Sequence, residues 1–85
     1  MDTIKLLDSL EVGMPLVVTT KWQNGESRNV TLYGGTTGDG IYNFIDFGGA
    51  YKCTIGYIKD HMTISQELDH EDDIFTLAKL IEEVK

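Results

Sequence analysis

The sequence predicts an α+β fold: a five-stranded, strongly curved antiparallel sheet or small open β-barrel, with a short N-terminal helix and an amphipathic C-terminal helix. Residues 28–64 hold seven of the nine glycines and most of the aromatic and β-branched residues, which is typical of short strands separated by glycine turns. Residues 70–84 repeat apolar side chains at helical spacing. Because 85 residues suit one domain, we expect residues 1–85 to fold as a single unit.

The first predicted element is a helix over residues 2–12. Its apolar residues recur at helical spacing, beginning with Ile4 and Leu7. Gly13 supplies a helix stop, and Pro15 prevents continuation because it lacks a backbone donor.

Residues 16–22 and 28–33 predict a pair of strands. Asn24-Gly25 favours a tight two-residue hairpin, whereas a five-residue loop over 23–27 aligns the apolar residues better. We therefore expect the longer loop. Its register places four apolar side chains on one face of the sheet: Leu16, Val18, Val30 and Leu32.

Three further strands are predicted at 41–47, 51–58 and 62–64, and the glycine-rich residues 34–40 are expected to form a loop. Acidic residues begin the C-terminal helix, where the helix dipole favours negative charge. Its predicted apolar face consists of Ile74, Leu77, Ala78, Ile81 and Val84.

A leading helix followed by five short strands is similar, in outline, to the Sm-like and SH3-like small barrels. The resemblance is one of architecture, and it implies an open or closed small barrel without assigning any site residue. Fold-level analogy does not by itself define a function.

The net charge of −7 is unevenly placed along the chain. Residues 1–65 carry seven acids and five bases, whereas residues 66–85 carry seven acids and two bases. Without a basic stripe, we expect no direct nucleic-acid binding. Cys53 is the only cysteine and no long apolar run is present, so we expect a cytoplasmic protein that contacts no membrane.

A small-ligand site is one hypothesis. Glycines in residues 34–40 let backbone N–H groups approach an anion, although the spacing matches no phosphate-binding motif and an ordinary strand connection explains it better. The hypothesis is a nucleotide-sequestering oligomer. Its predicted ligand-binding residues are Thr36, Thr37, Asp39, Tyr42, Asp46 and Lys52.

The leading hypothesis is a small non-enzymatic binding protein that acts through protein–protein contact, as a dimer or higher oligomer. Aromatic residues are enriched at interface hot spots. The predicted interface residues are Trp22, Tyr33, Tyr42, Phe44, Tyr51 and Tyr57. Small size, acidity and the lack of a catalytic motif fit a phage or mobile-element protein that inhibits a host factor.

Other chemistries find weaker support in the sequence, and we expect no catalytic residue, metal or cofactor. The acidic run at 67–73 lacks the spacing of a calcium loop, and helix capping explains it better. Cys53, with His61 or His70 as a base, lacks an activation motif. A DNA mimic that uses Asp69, Asp72 and Asp73 is a further alternative, which the clustering of charge in the last twenty residues weakens.

Overall fold

The computed structural model describes residues 3–68 and 71–84. Within these described residues, three helices and five antiparallel strands form an α+β fold, which confirms the predicted class, and the sheet is not closed. The elements are α1 (Thr3–Ser9), β1 (Pro15–Trp22), β2 (Gly25–Thr36), β3 (Ile41–Asp46), β4 (Gly49–Thr54), α2 (Ile55–His61), β5 (Met62–Ser65) and α3 (Glu71–Val84). The predicted starts of the first and last helices, at residues 2 and 70, lie outside the described residues.

The strands are ordered β4-β3-β2-β1-β5, so β4 and β5 are the two edges. α2 connects these edges by crossing one face of the sheet. That face, here called the α1 face, also carries α1, and Leu7 and Ile58 are fully buried in its core. The rest of this core comes from inward side chains of the strands, such as Leu16, Val18 and Phe44.

The opposite face of the sheet, here called the α3 face, is covered by α3. Paired residues of an antiparallel sheet share a face, and Val17 pairs with Val30, whereas their neighbours Leu16 and Thr31 pair on the α1 face. Val17, Val30 and Leu32 are all buried. The domain therefore has a helix-covered core on each side of one sheet.

The predicted register of the first hairpin is wrong. β1 and β2 join through a two-residue turn at Gln23-Asn24, and Val18 pairs with Asn29 instead of Leu32. Val30 and Leu32 therefore lie on the α3 face, opposite Leu16 and Val18. The prediction assumed one buried face, but both faces are buried, so the apolar pattern alone does not define the register.

The predicted strand over 51–58 is also wrong in its second half. β4 ends at Thr54, whose hydroxyl oxygen accepts a 3.2 Å hydrogen bond from the Tyr57 N–H and caps α2. Ile58 is then buried against the α1 core. Tyr57 lies on a helix, out of line with the strand residue Tyr51.

β2 extends through part of the predicted loop 34–40, and only residues 37–40 form the connection to β3. A β-bulge separates Tyr33 from Gly35, which has a φ of +90°. A Cβ at Gly34 would lie 3.1 Å from the carbonyl oxygen of Asn43. These glycines therefore permit a close strand pairing.

α3 does not pack through the apolar stripe that its sequence favours. Leu80 and Asp73 are buried, whereas Ile74 and Ile81 are exposed. The carboxylate of Asp73 binds Arg28 on the α3 face of β2, and this pair directs a different side of the helix toward the sheet. Among the described residues, no helix is long and apolar enough to span a bilayer.

Candidate functional site

Three of the six predicted interface residues lie in the core. Tyr33, Tyr42 and Phe44 are buried on the α1 face. The Tyr42 hydroxyl donates a 2.7 Å hydrogen bond to the Asp8 carboxylate. Burial raises the pKa of Tyr33 above its ordinary value, and the nearby Asp8 charge adds to this effect. These three side chains serve packing within the domain.

The predicted ligand residues in and beside the glycine-rich connection form hydrogen bonds within the turn. The Thr36 hydroxyl donates to the carbonyl of Ile41 at 2.9 Å and accepts from the Gly38 N–H at 3.2 Å. The Thr37 hydroxyl donates to the Asp39 carboxylate, and this bond holds the pKa of Asp39 below its ordinary value. These groups stabilise the turn.

Asp46 and Lys52 line a separate cavity on the α1 face, together with the three predicted interface residues outside the core. This cavity, here called the bowl, has a volume of about 580 Å³. Its aromatic residues are Trp22, Tyr51 and Tyr57. The six predicted ligand residues are therefore divided between the bowl, the β2–β3 connection and the core.

The strand register explains why polar groups face the bowl. Thr20 pairs with Ser27 on one side and with Met62 on the other, so these three side chains share the α1 face. Asn29 lies two residues beyond Ser27 on the same face, and all four line the bowl. α1 packs over the end of this face that holds Tyr42. The half of the α1 face beneath α1 is therefore filled by side chains, whereas the half that holds the bowl is open.

The aromatic walls of the bowl are held by neighbouring groups. The Tyr51 ring stacks on Phe44 with centroids 5.4 Å apart. The Tyr57 ring contacts His61 one turn later, with centroids 4.8 Å apart. Nδ1 of His61 lies 3.1 Å from the carbonyl oxygen of Lys21, which ties the end of α2 to β1. These contacts hold Tyr57 next to β1.

The bowl contains polar groups that are suited to binding. Burial raises the pKa of Tyr51 to about 12 and also raises the pKa of the Cys53 thiol, so both groups are protonated at neutral pH. A protonated thiol is a poor nucleophile. One Asp46 carboxylate oxygen accepts a 2.8 Å hydrogen bond from the Gly48 N–H. Within residues 3–68 and 71–84, no group of three acidic, histidine or cysteine residues could hold a metal ion.

A second surface lies on the side of α3 that faces away from the sheet, and it is here called the outer face of α3. This face consists of Ile74, Phe75, Ala78 and Ile81, which are all exposed, Phe75 to 63%. The Lys79 ammonium lies 4.6 Å from the centre of the Phe75 ring. A shallow groove of about 510 Å³ follows part of this face.

Sequence reasoning missed the polar residues of the bowl and the exposure of the outer face of α3. Thr20, Ser27 and Asn29 show no motif, and their common face becomes visible only with the correct hairpin register. The exposure of the outer face depends on the ion pair between Arg28 and Asp73. These residues lie 45 positions apart, so no local sequence pattern reveals the pair. Comparisons with protein-family models, curated proteins and solved structures found no match to this chain.

Proposed function

We propose that the protein is a non-enzymatic binding protein that acts through protein–protein contact, with the outer face of α3 as its contact surface. The observation that carries this proposal is the exposure of Ile74 and Phe75 on a helix whose opposite side is already packed on the sheet. Exposed apolar groups that are contiguous mark interaction sites in small soluble proteins. A helix that presents such a stripe is suited to an apolar groove.

The charges around the outer face define the chemistry of the partner. Glu71 and Asp72 lie at one end of α3, and Glu82 and Glu83 lie at the other; all four are exposed. Lys79 is the one base between them in the described part of the helix. Complementary potentials fix partner choice and speed association. The partner is therefore a protein with an apolar groove that lysine or arginine residues border.

The same charges oppose pairing of two copies through α3, because an isologous contact would bring acidic helices together. The homo-oligomer that the small size favours would then use another surface. The DNA-mimic alternative loses one of its three carboxylates, since Asp73 is buried and bound to Arg28. Asp72 is exposed, and Asp69 lies outside the described residues.

The proposal is tested with two fluorescent helical peptides that share one leucine stripe. One peptide borders the stripe with lysine and arginine, and the other borders it with glutamate. Fluorescence anisotropy is expected to show at least about tenfold tighter binding of the basic peptide, which weakens as salt screens the charges. The double variant Phe75→Ser/Ile81→Ser is expected to bind neither peptide measurably.

A matched control removes an exposed apolar residue outside α3. Val12 is 71% exposed, so Val12→Ser should bind the basic peptide as the parent protein does. Equal affinity of the parent protein for both peptides would contradict the charge argument. Unchanged binding by the double variant would exclude the outer face as the contact surface.

A further inference from the structure

We propose that the bowl is a second, independent binding site, and that it takes a small neutral ligand with a planar heterocycle, of the nucleobase or nucleoside class. The contrast between the two halves of the α1 face supports this assignment. One half is filled by apolar side chains such as Leu16 and Phe44. The other half places Thr20, Ser27 and Asn29 around an open cavity.

The size and walls of the bowl suit a flat small molecule. Its volume of about 580 Å³ falls within the range of small-ligand pockets, roughly 300–1,000 Å³. Trp22 and Tyr57 line the bowl and remain exposed, so their ring surfaces are accessible to a ligand. Aromatic side chains stack on nucleobases irrespective of base identity, because every base has a π-face.

The Tyr57 and Tyr51 side chains that line the bowl are held in position before any ligand binds. The Thr54 hydroxyl caps the first turn of α2, and His61 contacts both the Tyr57 ring and the carbonyl oxygen of Lys21. Tyr51 is held by stacking on Phe44. A site with preorganised side chains loses less conformational entropy on binding.

The polar groups of the bowl match the edge of a base. The Asn29 amide offers both a donor and an acceptor, as asparagine does when it binds adenine. The hydroxyls of Thr20 and Ser27 add further donors and acceptors. Asp46 accepts hydrogen bonds from ring or exocyclic N–H groups or from ribose hydroxyls.

The charge of the bowl excludes polyphosphates as preferred ligands. Among the described residues that line it, Lys52 is the one cation, and its pairing with Asn43 places its side chain on the α3 face, away from the cavity. The whole chain has a net charge of −7, which repels anions. A nucleoside is therefore expected to bind more tightly than its triphosphate.

The fluorescence of Trp22, the only tryptophan in the chain, reports directly on occupancy. Titration with adenosine should give saturable quenching, and ATP should bind at least about tenfold more weakly. Asn29→Ala and Tyr57→Ala should each weaken adenosine binding by about tenfold or more. Both residues are exposed, so circular dichroism should show an unchanged fold.

Two control variants separate this site from the other surfaces. Thr36→Ala alters the β2–β3 connection, and Phe75→Ser alters the outer face of α3; both should bind adenosine as the parent protein does. No saturable signal with adenosine, guanosine or uridine would overturn the proposal. It would also be overturned by tighter binding of ATP, or by Asn29→Ala and Tyr57→Ala variants that retain full affinity. None of these outcomes bears on the α3 contact, which the peptide titration tests separately.

Discussion

Arg28 and Asp73, 45 residues apart, form a two-point ion pair that joins β2 to α3. Nη1 donates to Oδ1 and Nη2 donates to Oδ2, each at 2.6 Å. The aspartate side chain is 5% exposed and the arginine side chain is 41% exposed. Two parallel hydrogen bonds fix orientation as well as distance. This pair defines which side of α3 meets the sheet and which side remains outside.

Removing the carboxylate should loosen α3. Asp73→Ala is expected to lower the free energy of unfolding by about 1–3 kcal/mol, because two charge-assisted hydrogen bonds are lost while the half-exposed Arg28 regains water. Urea unfolding followed by circular dichroism measures the change. The control Asp72→Ala removes a neighbouring exposed carboxylate and should change stability by less than about 0.5 kcal/mol. Equal losses from both variants would refute a special role for the pair.

The buried side of α3 can be distinguished from its outer face by two alanine substitutions. Leu80 is fully buried, so Leu80→Ala should cost about 2–5 kcal/mol of unfolding free energy. Ile81 is 39% exposed, so Ile81→Ala should cost less than about 1 kcal/mol. Thermal or urea unfolding compares them. The reverse order would mean that α3 packs through the stripe that the sequence favours.

Two glycines should respond to alanine in opposite directions. A Cβ at Gly34 would lie 3.0 Å from the Asn43 Cβ, so Gly34→Ala should destabilise the β2–β3 pair by about 1–3 kcal/mol. A Cβ at Gly56, within α2, would meet no atom within 4 Å. Gly56→Ala should therefore stabilise the domain by about 0.5–1 kcal/mol. Similar shifts in both unfolding midpoints would show that the close strand approach at Gly34 is absent.

The domain should lose stability at alkaline pH through Tyr51. Burial raises the pKa of this phenol from 10.0 to about 12, so the folded state holds its proton more firmly than the unfolded state does. The resulting stability is fully present below pH 10 and is lost as the pH rises toward 12. Tyr51→Phe should show a smaller loss over this window, measured as urea midpoints. An identical pH profile for both proteins would assign the loss to other groups.

The fold class could be predicted because it depends on local signals. Glycine turns separate β-branched segments, and residues 70–84 have a helical apolar period. The hairpin register could not be predicted, because it depends on how many faces are buried. With α3 on the second face, Val30 and Leu32 have their own apolar environment, so matching them to Leu16 and Val18 gave the wrong pairing.

The candidate site was predictable to the extent that its residues are chemically conspicuous. The sequence predicted Trp22, Tyr51 and Tyr57 as protein-interface residues, not as ligand residues, and the structure places them around one cavity. Asn29 could not be placed there, because the expected register differed from the observed one by an odd number of residues. An odd shift moves every side chain of a strand to the opposite face.

A backbone amide NMR titration of the protein with the basic peptide tests the α3 contact most directly. The largest shift changes are expected on α3, at Ile74, Phe75, Ala78 and Ile81. Amides of the bowl, such as those of Ser27 and Asn29, should change little. Shift changes centred on the bowl, or none at all at saturating peptide, would contradict the assignment of the outer face of α3 as the contact surface.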